Sequence, residues 1–154
     1  MTIQFLDGRL SVFRNDSAGT DLLTDTPLLI GDVGLQTGAA ALLGNVGDVR
    51  VALTGTVGIF TEGTGAEIIL TVERNGTDSA GSGVLILTES FFTNGLSSVV
   101  PISVSAGDFP TASEVAAGEI RYTLFIAAII SEGSILLSGP VVFNGTAFAG
   151  TTTS

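Results

Sequence analysis

Residues 49–60 have the sequence VRVALTGTVGIF, and this stretch specifies the fold more firmly than any other. Its odd positions are apolar or small, whereas polar residues such as Thr54 and Thr56 occupy even positions. Alternation with a period of two is typical of a half-buried β-strand. Residues 66–74 repeat the pattern, and the connecting residues 61–65 contain two glycines. The sequence therefore predicts that the two segments form an antiparallel hairpin.

Similar short segments recur along the whole chain, separated by glycine-rich turns. They predict an all-β fold: a single-domain antiparallel β-sandwich (jelly roll) of about eight strands. Residues 38–43 are predicted to form either a single helical turn or a loop against the core, and no other segment is expected to be helical. Residues 107–117 are expected to be a connection without helix. Residues 1–36 are interpreted as an N-terminal arm and first strands, residues 37–150 as the jelly-roll core, and residues 151–154 as a disordered tail.

Four further segments carry specific expectations. Residues 83–92 form a continuous apolar run, which is typical of a strand buried on both faces, and residues 96–105 form the next strand. Pro101 marks an edge position or a bulge in that second strand, because proline has no N–H to donate to a neighbour. Residues 134–137 and 141–143 are predicted to pair as two short strands.

The charge balance restricts the partners. The 154 residues contain 15 Asp and Glu but only 5 Lys and Arg, so the net charge is -10. Nucleic acids and anionic membranes attract basic patches, so we expect this chain to bind neither. All five basic residues are arginines, and the chain has no Lys, His, Cys or Trp. This composition removes most nucleophiles, general bases and zinc ligands, so we expect no enzyme, no cofactor and no disulfide.

Carboxylates are the remaining chemical groups. An acidic block is made of Asp16, Asp21, Asp25 and Asp32. Hard cations such as calcium take oxygen ligands, but the spacing fits no EF-hand loop, so a solvated loop is favoured over a metal site. A pair of carboxylates could also hydrolyse a glycosidic bond, but nothing in the sequence brings two of the glutamates to the required separation. We therefore expect no catalytic and no metal-binding residues.

The high mean hydropathy, +0.59, points to self-association. A soluble monomer rarely exposes a large apolar patch, so we expect part of the apolar surface to be buried between subunits. The alternative is that many Gly, Ala and Val residues raise the average without forming a patch. The longest apolar run, residues 124–130, is far shorter than the roughly 20 residues of a membrane-spanning helix, so no span is expected. Residues 1–7 lack the basic and apolar regions of a secretory signal.

The N-terminal segment is the main candidate for an assembly element. Ile3, Phe5, Leu10 and Val12 alternate with polar residues. If this strand adds to the sheet of a neighbouring subunit, its backbone provides affinity and its apolar side chains fix the register. The alternative is an ordinary first strand of its own sandwich, which has the same sequence pattern.

Four segments together carry a family resemblance: Val51-x-Leu53-x-Gly55-x-Val57-x-Ile59, Ile68-x-Leu70-x-Val72-Glu73-Arg74-Asn75-Gly76, Gly118-x-Ile120-x-Tyr122-x-Leu124-x-Ile126 and Gly139-Pro140-Val141-Val142-Phe143-x-Gly145-x-Ala147. They resemble the compact jelly rolls of Bacillus-type endospore surfaces. Those proteins include subunits of endospore appendage fibres and exosporium proteins with tumour-necrosis-factor-like topology. The resemblance covers roughly residues 47–150 and rests on strand patterns, not on a diagnostic motif.

The resemblance implies assembly at the cell or spore surface. Such proteins are made in the mother cell without export, which fits the missing signal. It also implies self-assembly into trimers or fibres, in which an N-terminal arm adds a strand to its neighbour, with other spore-surface proteins as further partners. Stiff appendage subunits are cross-linked through cysteines in that arm. Residues 1–14 have no cysteine, so this covalent link is excluded here.

Two functions follow as hypotheses. The first is a structural subunit that assembles itself into a spore-surface fibre or layer by N-terminal strand addition and apolar contacts. The second is a closed trimeric recognition head that binds a protein or glycan. Its binding loops would be residues 15–25, 77–82 and 107–117.

Overall fold

Two antiparallel β-sheets and two short helices make up the part of the chain that the computed structural model describes. That part comprises residues 3–62, 65–94 and 99–150, with only the backbone at residues 99 and 100. The elements in chain order are β1 (Gln4–Arg14), β2 (Asp21–Leu22), β3 (Leu28–Gln36), α1 (Gly38–Leu42), a 3-10 turn (Val46–Asp48), β4 (Val49–Thr61), β5 (Ala66–Arg74), β6 (Val84–Phe92), β7 (Val99–Asp108), α2 (Ala112–Ala116), β8 (Glu119–Ile130) and β9 (Ile135–Ala149).

The strand order is that of a jelly roll. The first sheet has the order β1-β9-β4-β7, with β2 beside β9, and the second sheet has the order β3-β8-β5-β6. Every pairing is antiparallel, and the chain crosses from one sheet to the other at most of its connections. The predicted fold class, an all-β antiparallel jelly roll, is confirmed.

The predicted hairpin of β4 and β5 is wrong, although both strands lie where the sequence placed them. β4 pairs with β7 and β9 of the first sheet, whereas β5 pairs with β6 and β8 of the second. Alternation determines which side of a strand is buried but does not choose its partner. β4 and β5 therefore belong to different sheets.

The core lies between the two sheets and is built from the inward rows of the central strands. Leu53 and Ile59 of β4 and Leu70 of β5 belong to this core, and all three are fully buried. Tyr122 of β8 and Phe143 of β9 are the largest side chains of this layer. Gly31 on β3 permits close packing, because an added Cβ would lie 2.7 Å from the Cβ of Phe143.

β6 and β7 are both edge strands, which corrects one prediction and confirms another. β6 was expected to be buried on both faces, but it lies at the edge of the second sheet and exposes Val84, Leu85 and Phe92. An apolar run shows that a strand is hydrophobic, but it does not show whether other elements cover both of its faces. Pro101 lies on β7, the edge strand of the first sheet, opposite Gly58 of β4, as its missing N–H predicts.

The two helices are short. α1 confirms the helical turn, one of the two alternatives predicted for residues 38–43. α2 contradicts the expectation that residues 107–117 contain no helix. The Thr111 side chain accepts a hydrogen bond from the Glu114 amide, and the Glu114 side chain accepts one from the Thr111 amide. The capping box has the sequence pattern Thr-x-x-Glu, which indicates the start of a helix. The prediction did not take this pattern into account.

β9 is one strand of 15 residues, not the predicted pair of short strands at 134–137 and 141–143. A register shift opposite β4 falls at the cis Gly139-Pro140 bond, so the Gly-Pro pair forms a bulge inside the strand instead of a turn. From residues 1–36, β1 pairs with β9 and β3 pairs with β8. The predicted tail at residues 151–154 lies outside the described residues.

Candidate assembly surface

The outer side of the first sheet is almost free of charge, and we call it the apolar face. In β4 the inward positions are buried, so the alternate positions point outward, and the register of β9, β7 and β1 extends these rows across the sheet. The apolar face consists of Phe5, Leu10 and Val12 of β1, Leu136, Pro140, Val142, Asn144, Thr146 and Phe148 of β9, Ala52, Thr54, Thr56 and Phe60 of β4, and Pro101, Ser103 and Ser105 of β7.

Arg50 is the one charged side chain that points outward from the described residues of these four strands. Its guanidinium donates to the carbonyl oxygens of Gly150 and Asp48 and lies 5.2 Å from the ring centroid of Phe109. The charge is thus held at one end of the sheet by carbonyl groups and an aromatic ring. The centre of the face carries only apolar side chains, hydroxyl groups and one amide.

The four predicted assembly residues lie on or beside this face. Ile3, Phe5, Leu10 and Val12 are 49%, 66%, 65% and 46% exposed. β1 pairs with β9 of its own chain, with Leu10 opposite Asn144. The structure describes a single copy, in which β1 is the first strand of its own sandwich. Addition of this strand to a neighbouring copy stays a prediction.

Polar contacts on the inner side of β1 fix the direction in which its apolar row points. Asp7 Oδ2 accepts hydrogen bonds from the backbone amide of Gln36 and from Arg9 Nε, both at 2.8 Å. Burial alone would raise the pKa of Asp7, but these hydrogen bonds outweigh it and lower the pKa below its usual value. Ser11 Oγ accepts from the amide of Asp32 at 3.1 Å. β1 is therefore tied to the edge of β3, and Phe5, Leu10 and Val12 face outward.

The outer side of the second sheet is different, and we call it the charged face. Its strands carry five outward ionisable side chains: Asp32, Glu67, Glu73, Glu119 and Arg121. Arg121 Nη2 donates to Asp32 Oδ2 at 2.7 Å and to Asp78 Oδ1 at 2.5 Å. Hydrogen bonds to these two carboxylates raise the pKa of Arg121 above its usual value. Arg121 thereby links β8, β3 and the loop at residues 75–83.

A buried ionic network joins the two sheets at one end of the sandwich. Arg74 of β5 donates through Nη1 to both carboxylate oxygens of Asp108 on β7, each at 2.7 Å, and through Nε to Glu114 of α2 at 3.0 Å. The hydroxyl of Tyr122 on β8 donates to Asp108 Oδ2 at 2.7 Å. Burial would lower the pKa of Arg74, but the two carboxylates raise it. Burial, and then the bond to Asp108, raises the pKa of Tyr122. The network holds the sheets and α2 together.

The predicted acidic block does not converge. Asp32 pairs with Arg121, whereas Asp16 Oδ1 accepts from the amide of Ala18 at 3.0 Å and lies 3.5 Å from Arg14 Nη1. Asp21 lies on β2. Within residues 3–62, 65–94 and 99–150, no three carboxylates are grouped closely enough to hold a metal ion.

The three loops of the recognition hypothesis are anchored to the sandwich. The amide of Gly19 donates to the carbonyl of Ser138 at 2.9 Å, which holds residues 15–25 against β9. Ser82 Oγ accepts from the amide of Thr77 at 2.7 Å and so closes residues 77–82. Residues 107–117 contain α2. Ligand binding by these loops stays a prediction.

The outward row of β9 is the part of the apolar face that the sequence reasoning missed. Val142, Asn144, Thr146 and Phe148 follow one another at every second position. The prediction placed two short strands on either side of Gly139-Pro140 and ended the second at residue 143, so the row was not recognised. The alternation of an inward row at Phe143, Gly145 and Ala147 was the available signal.

No helix in the described part of the chain is long and apolar enough to cross a membrane. No protein family matches the sequence, and no curated protein matches it.

Solved structures with similar folds share little sequence with this chain. VP2 of infectious bursal disease virus, in a subviral particle, matches with a TM-score of 0.49 and 12% identity over 96% of this chain. The structure of the Gx strain of that virus gives a TM-score of 0.48 and 11% identity over 97% of this chain. The chain spans 38% and 41% of the lengths of those two chains. Eiger TNF from S. frugiperda has a TM-score of 0.45 and 15% identity, covering 98% of this chain and 95% of its own.

Proposed function

We propose that this chain is a self-assembling structural subunit of a spore-surface fibre or layer, and that copies meet through the apolar face. The observation that supports this function is the contrast in charge. A chain of net charge -10 keeps a whole sheet face free of carboxylates.

Electrostatics favour this face for contact between identical copies. Each copy is strongly acidic, so most other contacts would bring carboxylates together, at a cost in repulsion and desolvation. The apolar face has no carboxylate to desolvate, and its hydroxyl groups stay bonded at the rim or through water. Burying its apolar area contributes about 25 cal/mol per Å².

The dimensions of the face also fit a protein contact. Four strands about 4.8 Å apart and about ten residues long present about 600 Å² of surface. A standard interface buries about 800 Å² per partner. The exposed side chains of Ile3 and of Leu22 on β2 border the face and enlarge it. Contact through this face alone is therefore of nearly standard size.

Assembly on the spore surface and addition of the N-terminal strand are the finer parts of the proposal. They rest on the resemblance to endospore jelly rolls and on the exposed apolar row of β1. Strand addition would place β1 of one copy beside β9 of the next in the same antiparallel register. A contact that does not close on itself then extends into a filament.

The central experiment moves one carboxylate onto either face. Thr54 is exposed at the centre of the apolar face, and Thr88 is exposed on the outer side of β6. Sedimentation velocity and negative-stain microscopy of the full chain measure assembly. We expect Thr54→Asp to weaken self-association at least tenfold, because it adds a charge to a desolvated contact, and Thr88→Asp to leave it unchanged. A wild-type chain that stays monomeric at high concentration, or equal effects of the two variants, would contradict the proposal.

A cysteine pair tests the strand addition separately. The chain has no cysteine, and Leu10 lies opposite Asn144, so Leu10→Cys with Asn144→Cys places two thiols at a distance that a disulfide can bridge. Strand addition gives a ladder of linked copies on a non-reducing gel of the oxidised assembly. Linked single chains would show that β1 stays in its own sheet. Microscopy separates the fibre or layer from the recognition head, which forms discrete particles of one size.

A further inference from the structure

Glu73 is buried on the outer side of the second sheet, where Thr123 and Phe125 of β8 are buried as well. Its exposed fraction is 3%, although it lies on the outer side of β5. The loop at residues 75–83 covers it: Glu73 Oε1 accepts hydrogen bonds from the amides of Gly81 at 2.7 Å and Gly83 at 3.4 Å. One carboxylate oxygen is therefore held by the loop.

The other oxygen of this carboxylate has no donor. Within the described residues, no group donates to Glu73 Oε2, and no ion pair includes Glu73. Thr123 lies directly opposite on β8, and its fully buried Oγ1 is also without a hydrogen-bond partner there. A buried acceptor without a donor is costly, and the cost is larger when the acceptor is ionised. The site therefore favours a donor that carries positive charge.

A cavity of about 370 Å³ adjoins Glu73 and the two glycines whose amides bond its Oε1. Its walls include Glu73, Thr71, Pro27, Ala80 and Leu85, so most of the lining is apolar. Small-molecule sites commonly have this form, with an apolar wall and few polar groups that fix the orientation.

We propose that this cavity binds a small aliphatic primary ammonium ion. The ammonium group brings three N–H donors and a positive charge to Glu73 Oε2, and the alkyl part contacts Pro27 and Leu85. No lysine side chain of a second copy can supply this group, because the sequence has no lysine. Arg9, Arg74 and Arg121 already bond carboxylates, Arg50 bonds carbonyl groups, and Arg14 lies 3.5 Å from Asp16 in an ion pair.

The test is a titration of the ¹⁵N-labelled full chain with n-butylammonium chloride, followed by amide chemical shifts. We expect saturable shifts centred on residues 80–85 and binding at least tenfold tighter than that of n-butanol, which has the same alkyl length but no charge. Glu73→Gln is expected to abolish the saturable shifts. Glu67→Gln, a carboxylate on the same strand and face, is expected to retain them. An unchanged response in Glu73→Gln, or equal binding of butanol, overturns the proposal.

A second variant leaves the carboxylate intact. Ala80 is exposed in the covering loop and lines the cavity, so Ala80→Phe is expected to fill the space and abolish binding while the melting temperature stays near that of the wild type. Retained binding in this variant overturns the site. A crystal grown with butylammonium that shows only water at Glu73 Oε2 also overturns it.

N-acetyl-lysine methylamide distinguishes two sources of the ammonium group. Binding of this compound extends the site to lysine side chains, whereas binding of butylammonium alone restricts the site to free amines.

Discussion

The two outer faces of this sandwich are built on the same plan, expose large apolar side chains on both sides, and differ in the number of charged side chains. Both sheets are antiparallel and bury their inner rows in one core. The charged face presents Asp32, Glu67, Glu119 and Arg121 outward, in addition to the covered Glu73. The apolar face presents Arg50 as its one outward charge among the described residues.

The charged residues of the first sheet show how this difference arises. Asp7, Arg9 and Arg14 of β1 and Asp108 of β7 have the same register as the inward-facing residues of their partners. Each inward charge needs a partner there, such as Gln36 for Asp7 or Arg74 for Asp108. An outward position would have been hydrated at no cost. The first sheet therefore directs all its charged side chains except Arg50 away from its outer surface, although Arg9 stays half exposed at the sheet edge. A surface almost free of charge is the arrangement expected of a contact surface.

The largest expected effect on stability comes from the buried ionic network that joins the two sheets. Arg74→Ala removes the cation between Asp108 and Glu114 and leaves the buried Asp108 without its ion-pair partner. Breaking a buried pair from one side costs about 3–5 kcal/mol of unfolding free energy. Urea unfolding followed by circular dichroism measures the loss. Arg9→Ala, which breaks an exposed pair, is the control and should cost about 0.5 kcal/mol or less. Equal losses in the two variants would contradict a structural role for the network.

A matched pair of glycines tests how closely each face is packed. An added Cβ at Gly58 would overlap the carbonyl of Gly139 in the β9 bulge, and backbone cannot move aside cheaply. We expect Gly58→Ala to lower the unfolding free energy by about 3 kcal/mol. At Gly34 on the charged face the nearest atom is the Glu119 carboxylate at 3.0 Å, which is the end of a flexible side chain. Gly34→Ala should change stability by less than about 0.5 kcal/mol. The same urea titrations decide the comparison, and a larger loss at Gly34 would be inconsistent with it.

The smallest effect is a pH dependence of stability at the junction of the sheets. Burial would raise the pKa of Glu114, but hydrogen bonds from Thr111 and Arg74 outweigh it and lower the pKa in the folded chain. Because the pKa of Glu114 is lower in the folded chain, its ionised carboxylate stabilises the fold at pH values above the unfolded pKa, near 4.5. This stabilisation is lost as the pH falls from that value through the folded pKa. We expect Glu114→Gln to cost about 1 kcal/mol at pH 7 and almost nothing near pH 3. Melting temperatures across pH 3–7 measure this, and a constant difference between variant and wild type would refute the assignment.

The sequence predicted several residues of the apolar face, but it did not predict how far the face extends. The apolar row of β1 was recognised from alternation, and Pro101 correctly indicated an edge strand. The neighbouring outward row of β9 was not predicted, because Gly139-Pro140 and Gly145 are typical of turns. In the structure both lie inside one strand, β9. α2 was missed although Thr111 and Glu114 have the spacing of a capping box.

The sequence by itself determined which residues alternate, and therefore which side of β4, β5 and β8 is buried, because that depends on local backbone geometry. It also determined the acidic balance and the absence of cysteine. Only the tertiary structure decided that β4 and β5 belong to different sheets, that β6 is an edge strand, and that outward rows from β1, β9, β4 and β7 adjoin. Partners distant along the chain are chosen by the packing of the whole core, to which each segment contributes only a part.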